Sequence, residues 1–165
     1  MNIIKTILDK SDYQIYGNFL NIQIDSNFLD EIIDEKYPEK GYKGLIPALL
    51  PMESEKESAI VWQRILPENG KKTLCPILMC PDDCDFTCII IKAEIENKNN
   101  KMIYWNKIGI NKTNVWQKKS PNKKYKYEPE LIGNNVEWFE EIKLMEFSID
   151  DYVNMIQLFK NKLIK

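Results

Sequence analysis

The chain contains no histidine among its 165 residues, and Arg64 is its single arginine. Without an imidazole there is no Ser-His-Asp or Cys-His catalytic arrangement, no histidine-ligated metal centre and no histidine acid–base catalyst. The shortage of arginine weakens the case for a nucleic-acid surface, because arginine makes most bidentate contacts to phosphates and bases. These absences predict a protein that binds a partner and is not an enzyme.

Glycine-rich loops and long apolar runs are also missing. The six glycines are scattered and fit neither a Walker loop nor a dinucleotide-binding fingerprint. No apolar run approaches the roughly 20 residues that cross a bilayer, and the N-terminus carries Asp9 and Asp12 where a signal peptide is apolar. We therefore expect a cytoplasmic protein with reduced thiols and no membrane association.

Length and composition predict one α+β domain over residues 1–165. A chain of this size, with 44% hydrophobic residues, can bury a core without a disulfide or a metal, so we expect no cofactor. The net charge is −2, which gives no global attraction to nucleic acid or to an anionic membrane.

Local patterns predict strands that follow one another along the chain and two helices. The predicted strands are residues 13–24, 59–66, 73–79, 86–96, 102–110 and 135–147. Ser26 is predicted to cap a helix that Pro38 and Gly41 end, and Ser148 to cap a C-terminal helix. Residues 111–134 are polar and basic and predict a loop.

The order of these elements predicts the sheet type. Successive strands with short turns favour a mainly antiparallel sheet, with an N-terminal-region helix and the C-terminal helix packed on it. Residues 86–96 and 102–110 flank a polar turn and predict a hairpin. Pro76 lacks an N–H donor and places the 73–79 strand towards an edge of the sheet.

All four cysteines lie within a segment of 14 residues, Cys75, Cys80, Cys84 and Cys88. Four thiolates can hold a structural zinc, but these spacings differ from the paired Cys-x-x-Cys knuckles of zinc sites. Cysteines also serve as small buried apolar residues, which is the favoured interpretation. We therefore predict no metal and keep a zinc-stabilised protein as an alternative.

Two short acidic runs are candidates for contact with a basic partner. Three acids alternate with other residues at 53–57, and three more cluster at 82–85. The second run has the chemistry of a divalent-cation site, and both runs also fit solvated turns. The predicted partner-binding residues are Glu53, Glu55, Glu57, Trp62, Asp82, Asp83, Asp85 and Trp116.

Positive charge is concentrated in residues 98–127, which contain nine lysines and no acid. The aromatic residues interleaved with them are Tyr104, Trp105, Trp116, Tyr125 and Tyr127. Because lysines follow phosphates and aromatic rings stack on bases, the alternative function is single-stranded nucleic-acid binding. Its candidate residues are Lys118, Lys119, Lys123 and Lys124.

Two resemblances bear on function. The segments Gly44-Leu-Ile-Pro-Ala-Leu-Leu-Pro51, Val61-Trp62 and Cys75–Cys88 resemble motifs of small uncharacterised bacterial proteins. In size, acidity, α+β character and lack of catalytic residues, the chain also resembles immunity proteins of bacterial polymorphic toxin systems. The second resemblance is one of type and implies no particular residues. It implies a protein that neutralises a toxin, such as a secreted one, by direct protein–protein contact.

Overall fold

A computed structural model describes residues 1–10, 17–118 and 124–163. Within these ranges the strands are β1 (Ile4–Lys10), β2 (Asn18–Ile24), β3 (Asn27–Phe28), β4 (Ile46–Pro47), β5 (Lys72–Met79), β6 (Ile90–Lys98), β7 (Met102–Asn111), β8 (Trp116–Lys118), β9 (Tyr125–Tyr127), β10 (Val136–Trp138) and β11 (Met145–Ser148). The helices are α1 (Leu29–Lys36), α2 (Glu55–Arg64) and α3 (Ile149–Leu163), and a short 3-10 helix covers Pro129–Leu131.

The strands pair antiparallel throughout the described chain. The main sheet has the order β10-β7-β6-β5-β4, and β11 pairs with β7 beside β10. Strands β1, β2 and β3 form a smaller sheet, and β8 and β9 form a hairpin. The predicted α+β class, with its antiparallel sheet and C-terminal helix, is confirmed. No helix within the described ranges is both long and apolar enough to cross a membrane.

Helices α2 and α3 cover one face of the main sheet, and a buried polar chain joins them to it. The Trp105 indole on β7 donates to the hydroxyl of Tyr152 on α3, with 3.1 Å between Nε1 and Oη. The same hydroxyl donates to the carbonyl of Ile65 at the end of α2 (2.8 Å). Each polar group of the two buried rings therefore has a partner, as burial requires.

The central hairpin of the main sheet is as predicted, except that its first strand begins at Ile90 and not at residue 86. Strands β6 and β7 pair along their length, and Ile91, Ala93 and Ile95 are buried. Strand β5 is also where the sequence predicts a strand, and its register shifts between Pro76 and Leu78. The sheet thus accommodates the missing N–H of Pro76 with an irregularity next to a strand, β4, of only two residues.

The predicted strand at 59–66 is wrong, because this segment belongs to helix α2. The hydroxyl of Ser54 accepts a hydrogen bond from the Glu57 amide (3.3 Å) and caps the helix. The residues buried on α2 are Glu57, Ile60 and Val61, which recur at helical spacing. The β-branched and aromatic residues that suggest a strand are thus outweighed by a cap and an amphipathic face.

The predicted loop at 111–134 is wrong in part. Its described residues include the β8–β9 hairpin and the 3-10 helix, and Val115, Pro129, Ile132 and Gly133 are buried. Arg64 fixes the end of this segment, because its guanidinium donates to the carbonyls of Glu130 and Ile132. The described part of this segment therefore contains regular structure and buried residues, and its 3-10 helix packs on the sheet.

Three smaller predictions concern element ends. Ser148 caps α3 as predicted, and its hydroxyl accepts from the Asp151 amide (3.2 Å). Ser26 does not cap α1; it lies in the turn between β2 and β3 at φ +73°, and Phe28 occupies the N-cap position. The single predicted strand at 135–147 is two strands, β10 and β11. Of the predicted strand at 13–24, the residues Asn18–Ile24 form β2. Residues 11–16 are not among those that the structure describes.

Gly109 lies where β7 and β10 approach each other closely. A Cβ atom at this position would lie 2.5 Å from the carbonyl oxygen of Glu137 and 2.9 Å from the Cα of Trp138 on β10. Gly109→Ala is therefore expected to destabilise the protein by about 2–3 kcal/mol, because backbone and not a flexible side chain must move. Urea denaturation measures this loss of stability. Gly70→Ala is the comparison: its Cβ would meet open space, so only the positive φ of +78° opposes the substitution. An unchanged midpoint for Gly109→Ala would contradict the tight packing of β10 on β7.

Candidate binding surface

The two acidic runs meet at the N-terminus of α2. Residues 80–88, the cysteine loop, connect β5 to β6 and pass this helix end. The amide of Glu53 donates to the carbonyl of Cys84 (3.0 Å), and the Phe86 amide donates to the Glu57 carboxylate (3.0 Å). Contacts across about 30 residues of sequence thus place the two runs side by side.

Glu57 is buried and joins three elements. Only 2% of its surface is exposed, so the expectation that it contacts a partner from an exposed position is wrong. One carboxylate oxygen accepts from Phe86 of the cysteine loop, and the other accepts from the hydroxyl of Tyr127 on β9. Because α2, the loop and the β8–β9 hairpin all meet at this carboxylate, Glu57 organises the surface and does not form it.

Burial alters the protonation of this pair. Desolvation raises the pKa of Glu57, although the hydrogen bonds from Tyr127 and Phe86 act in the opposite direction. Desolvation, together with the hydrogen bond to Glu57, raises the pKa of Tyr127 to about 12. The phenol therefore stays protonated at neutral pH and remains the donor of this hydrogen bond.

The β8–β9 hairpin, which Tyr127 joins to Glu57, carries exposed aromatic rings. Trp116 packs on Tyr127 with 4.8 Å between ring centroids, and 43% of its surface remains exposed. Tyr125 is 58% exposed. The rings of Trp116 and Tyr125 line a groove of about 620 Å³ together with Cys88 and Lys112. The groove therefore runs from the hairpin to the end of the cysteine loop.

Together these residues define an acidic–aromatic surface. Glu53, Glu55, Asp82 and Asp83 are exposed and Asp85 is half-buried. The carboxylate of Asp85 accepts from the amide and the hydroxyl of Thr87, which holds it in the loop. The members of the acidic–aromatic surface are Glu53, Glu55, Asp82, Asp83, Asp85, Trp116 and Tyr125.

Trp62 has a different environment from the other predicted partner-binding residues. It is half-buried on α2 and packs against the core. The ammonium of Lys160 on α3 lies 5.8 Å from the centroid of its ring. Its described contacts therefore join two helices, and we do not include it in the acidic–aromatic surface.

The structure separates the four cysteines. Cys75 is buried beneath α2, with its Sγ 3.6 Å from the carbonyl oxygen of Val61, and burial raises the pKa of this thiol. Cys84 is buried and its thiol donates to the carbonyl of Pro81 (3.4 Å). Cys80 and Cys88 are half-buried and approach each other and Asp83. A site with all four thiolates therefore does not form in this arrangement.

Many lysines of the basic segment already have contacts within the chain. Lys98 lies over the Tyr104 ring and Lys107 over the Trp138 ring. Lys112 and Lys126 form ion pairs with glutamates. Of the residues predicted for nucleic-acid binding, Lys124 is exposed. Lys119 and Lys123 lie outside the described residues, as does the side chain of Lys118.

One buried cluster has no counterpart among the predicted sites. Lys92 on β6 has no exposed surface, and its ammonium nitrogen is without a hydrogen-bond partner among the described residues. A Cβ atom built on Gly133 would lie 3.1 Å from this nitrogen, so the 3-10 segment covers the amine closely. Burial and the nearby Arg64 guanidinium lower the pKa of Lys92 to about 7. Alternation along β6 predicts that Lys92 faces solvent. It is instead buried, beneath a 3-10 segment that is about 40 residues away in sequence.

The surface cannot be interpreted by likeness to other proteins. Comparisons with protein-family models, with curated proteins and with solved structures found no match.

Proposed function

We propose that the chain is a non-catalytic binding protein whose acidic–aromatic surface docks a basic face of a partner protein. An immunity protein that neutralises a toxin by direct contact is the function of this class that we favour. The observation that supports the proposal is the convergence of acids from two distant runs at the N-terminus of α2. The hydrogen bond from Tyr127 to Glu57 joins this helix end to the hairpin that carries two exposed aromatic rings. Such a surface combines the two chemical components of a protein interface.

Each component has a separate role in binding. Aromatic side chains supply most of the binding energy at protein interfaces, because they bury a large area at a small entropic cost. Trp116 and Tyr125 are placed to do this. The surrounding carboxylates attract a basic partner and raise the rate of association, and salt weakens this effect.

Hydrogen bonds join the elements that carry the surface. The Glu57 carboxylate fixes the cysteine loop and the hairpin to the start of α2, and Ser54 caps that helix. Because these groups are ordered before binding, less conformational entropy is lost when a partner docks.

Charge reversal tests this proposal. The double variant Glu53→Lys, Asp82→Lys is expected to slow association with a basic partner protein at least about tenfold at low salt. Trp116→Ala is expected to raise Kd about 30-fold or more, as loss of an aromatic anchor does. The partner is recovered on tagged protein from the native host at low salt, identified by native mass spectrometry, and its binding is measured by surface plasmon resonance.

The matched control reverses two acids outside the surface, Glu140→Lys with Glu141→Lys, both exposed in the description. This variant has the same net charge as the test variant and is expected to bind like the wild type. Equal binding by test and control variants would contradict the proposed surface. A partner that is itself a toxin, and against which the chain protects growing cells, would support the immunity function; a recovered nucleic acid and no protein would contradict it.

A further inference from the structure

Three metal-ligating side chains converge at the base of the cysteine loop. The Sγ atoms of Cys80 and Cys88 and a carboxylate oxygen of Asp83 all lie within 4.8 Å of one another. Cys80 directly follows β5, Cys88 lies shortly before β6, and Asp83 lies in the turn between them. The antiparallel pairing of the two strands therefore brings the two thiols together, and the turn directs the carboxylate to the same point.

We propose that Cys80, Asp83 and Cys88 bind one divalent d10 cation, Zn²⁺, with the fourth tetrahedral position open to water or to a group of a partner. Thiolate and carboxylate ligands lie about 2.0–2.3 Å from zinc, so ligand atoms in a tetrahedron are roughly 3.3–3.8 Å apart. Rotation of partly exposed side chains covers the difference from the present separation. The set differs from one of four thiolates, because Cys75 and Cys84 are directed elsewhere.

The loop that carries these ligands is fixed by contacts that do not use them. Pro81, Cys84 and Phe86 are buried. The Cys84 amide donates to the carbonyl of Cys80 (2.9 Å) and closes the turn, with Cys84 at φ +49°. These buried residues hold the loop, while the side chains of Cys80 and Cys88 are half-buried and that of Asp83 is exposed. A site held in this way loses little entropy when it takes up a cation.

Charge favours a cation at this point. Once an incoming cation has displaced the thiol protons, two thiolates and one carboxylate carry three negative charges. Asp82 and Asp85 add further negative potential from the same loop. Zn²⁺ displaces the two thiol protons to solvent as it binds, so uptake of one ion releases up to two protons. The histidine-free chain offers a soft ligand set of the kind that zinc prefers over magnesium or calcium.

Metal titration of the isolated, reduced and chelator-treated protein tests the proposal without any partner protein. We expect one Zn²⁺ per chain by isothermal titration calorimetry. We also expect thiolate-to-metal charge-transfer absorption when Co²⁺ is the probe. Cys80→Ser and Cys88→Ser are each expected to weaken Zn²⁺ binding more than about 100-fold. Changing a residue that only supports a ligand costs about 10- to 100-fold, so a larger loss indicates a direct ligand. Cys84→Ser is the matched control in the same loop and is expected to retain wild-type affinity.

Thiol mapping on the wild type keeps the test decisive if a variant fails to fold. Zn²⁺ is expected to slow alkylation of Cys80 and Cys88 by iodoacetamide at least tenfold, as read by peptide mass spectrometry, and to leave Cys84 unaffected. The proposal is overturned if the reduced protein takes up no stoichiometric Zn²⁺, or if Cys84→Ser loses the metal as Cys80→Ser does. It is also overturned if Cys80 and Cys88 form a disulfide in air but, when reduced, do not bind Zn²⁺. Because no partner enters these measurements, their outcome is independent of the proposed binding function.

Discussion

Lys92→Met is expected to stabilise the protein by about 3–4 kcal/mol at pH 6–7. The substitution removes a buried ammonium that has no hydrogen-bond partner within the described chain and keeps an unbranched side chain of similar length. A pKa near 7 in place of 10.5 means that the folded state disfavours the charged amine. Each tenfold change in proton affinity corresponds to about 1.4 kcal/mol, so a fall in pKa from 10.5 to about 7 sets an upper limit of about 5 kcal/mol. Relaxation around the buried amine reduces the expected gain to about 3–4 kcal/mol. Urea denaturation of the two proteins measures it.

The gain depends on pH in a definite direction. Below about pH 7, Lys92 is protonated in both the folded and the unfolded state, so the full cost of the buried charge is present. Between about 7 and 10.5 the unfolded chain holds a proton that the folded protein has released. The wild-type protein therefore gains stability from this group as pH rises, by up to about 1.4 kcal/mol per pH unit. The advantage of Lys92→Met is expected to shrink between pH 7 and 9.

The difference between the two proteins isolates Lys92 from other groups that titrate nearby. Arg64 and Cys75 face the same region, and their contributions are common to both proteins. Lys5→Met on β1 is a control, because Lys5 is exposed. This substitution is expected to change the free energy of unfolding by less than about 0.5 kcal/mol. A destabilised Lys92→Met, or a gap constant from pH 6 to 9, would show that the amine has a stabilising partner.

Lys92 also illustrates what alternation along a strand can and cannot reveal. The predicted strand at 86–96 is confirmed from Ile90 onward, where Ile91, Ala93 and Ile95 are buried, whereas residues 86–89 lie before the strand. The same alternation assigns Lys92 to solvent. Its burial depends on the 3-10 segment, which Arg64 holds in place through carbonyls more than 60 residues away in sequence. Local periodicity contains no information about such a cover.

The segment at 59–66 shows a different limit, because its helical signal was present in the sequence. Ser54 and Glu57 have the Ser-x-x-Glu spacing of a capping box, which predicts a helix start. Val61 and Trp62 instead suggest a strand by intrinsic preference. Such preferences are worth less than a capped helix that buries one face against a sheet. Weighing the cap first would have given the observed helix.

The acidic–aromatic surface that we propose as a binding site was predictable in its composition and not in its assembly. The acids at 53–57 and 82–85 and the ring of Trp116 are all evident in the sequence. Their proximity follows from the path of the cysteine loop past α2, which depends on tertiary contacts. The distinct role of Glu57 follows from that path as well, because burial converts one acid of an apparently uniform run into a structural group.

Glu57→Ala is therefore expected to destabilise the protein by about 2–5 kcal/mol, whereas Glu57→Gln is expected to be within about 1 kcal/mol of the wild type. Alanine leaves the Phe86 amide and the Tyr127 hydroxyl without their acceptor, and each unsatisfied buried group costs about 1–3 kcal/mol. Glutamine offers its carbonyl oxygen to Phe86 and its amide to the oxygen of Tyr127, without the cost of a buried charge. Denaturant unfolding at pH 7 distinguishes the two substitutions.

The pH dependence separates hydrogen bonding from charge at this position. Burial raises the pKa of Glu57, so the folded state binds a proton that the unfolded chain has released just above pH 4.5. Stability from this group is therefore full at lower pH and is lost as pH rises through the folded pKa. Glu57→Gln lacks this loss, so its stability relative to the wild type is expected to rise from pH 4 to 7.

Hydrogen exchange at the Phe86 amide provides the local test. Its protection is expected to fall in Glu57→Ala and to persist in Glu57→Gln, because only glutamine retains the acceptor. Tyr127→Phe removes one donor and keeps the carboxylate, so its loss of stability is expected to lie between those of the two Glu57 variants. If alanine and glutamine were equivalent in both measurements, the cysteine loop and the hairpin would be held by apolar packing alone. The acids of the surface would then owe their arrangement to Phe86 and Trp116 rather than to a buried carboxylate.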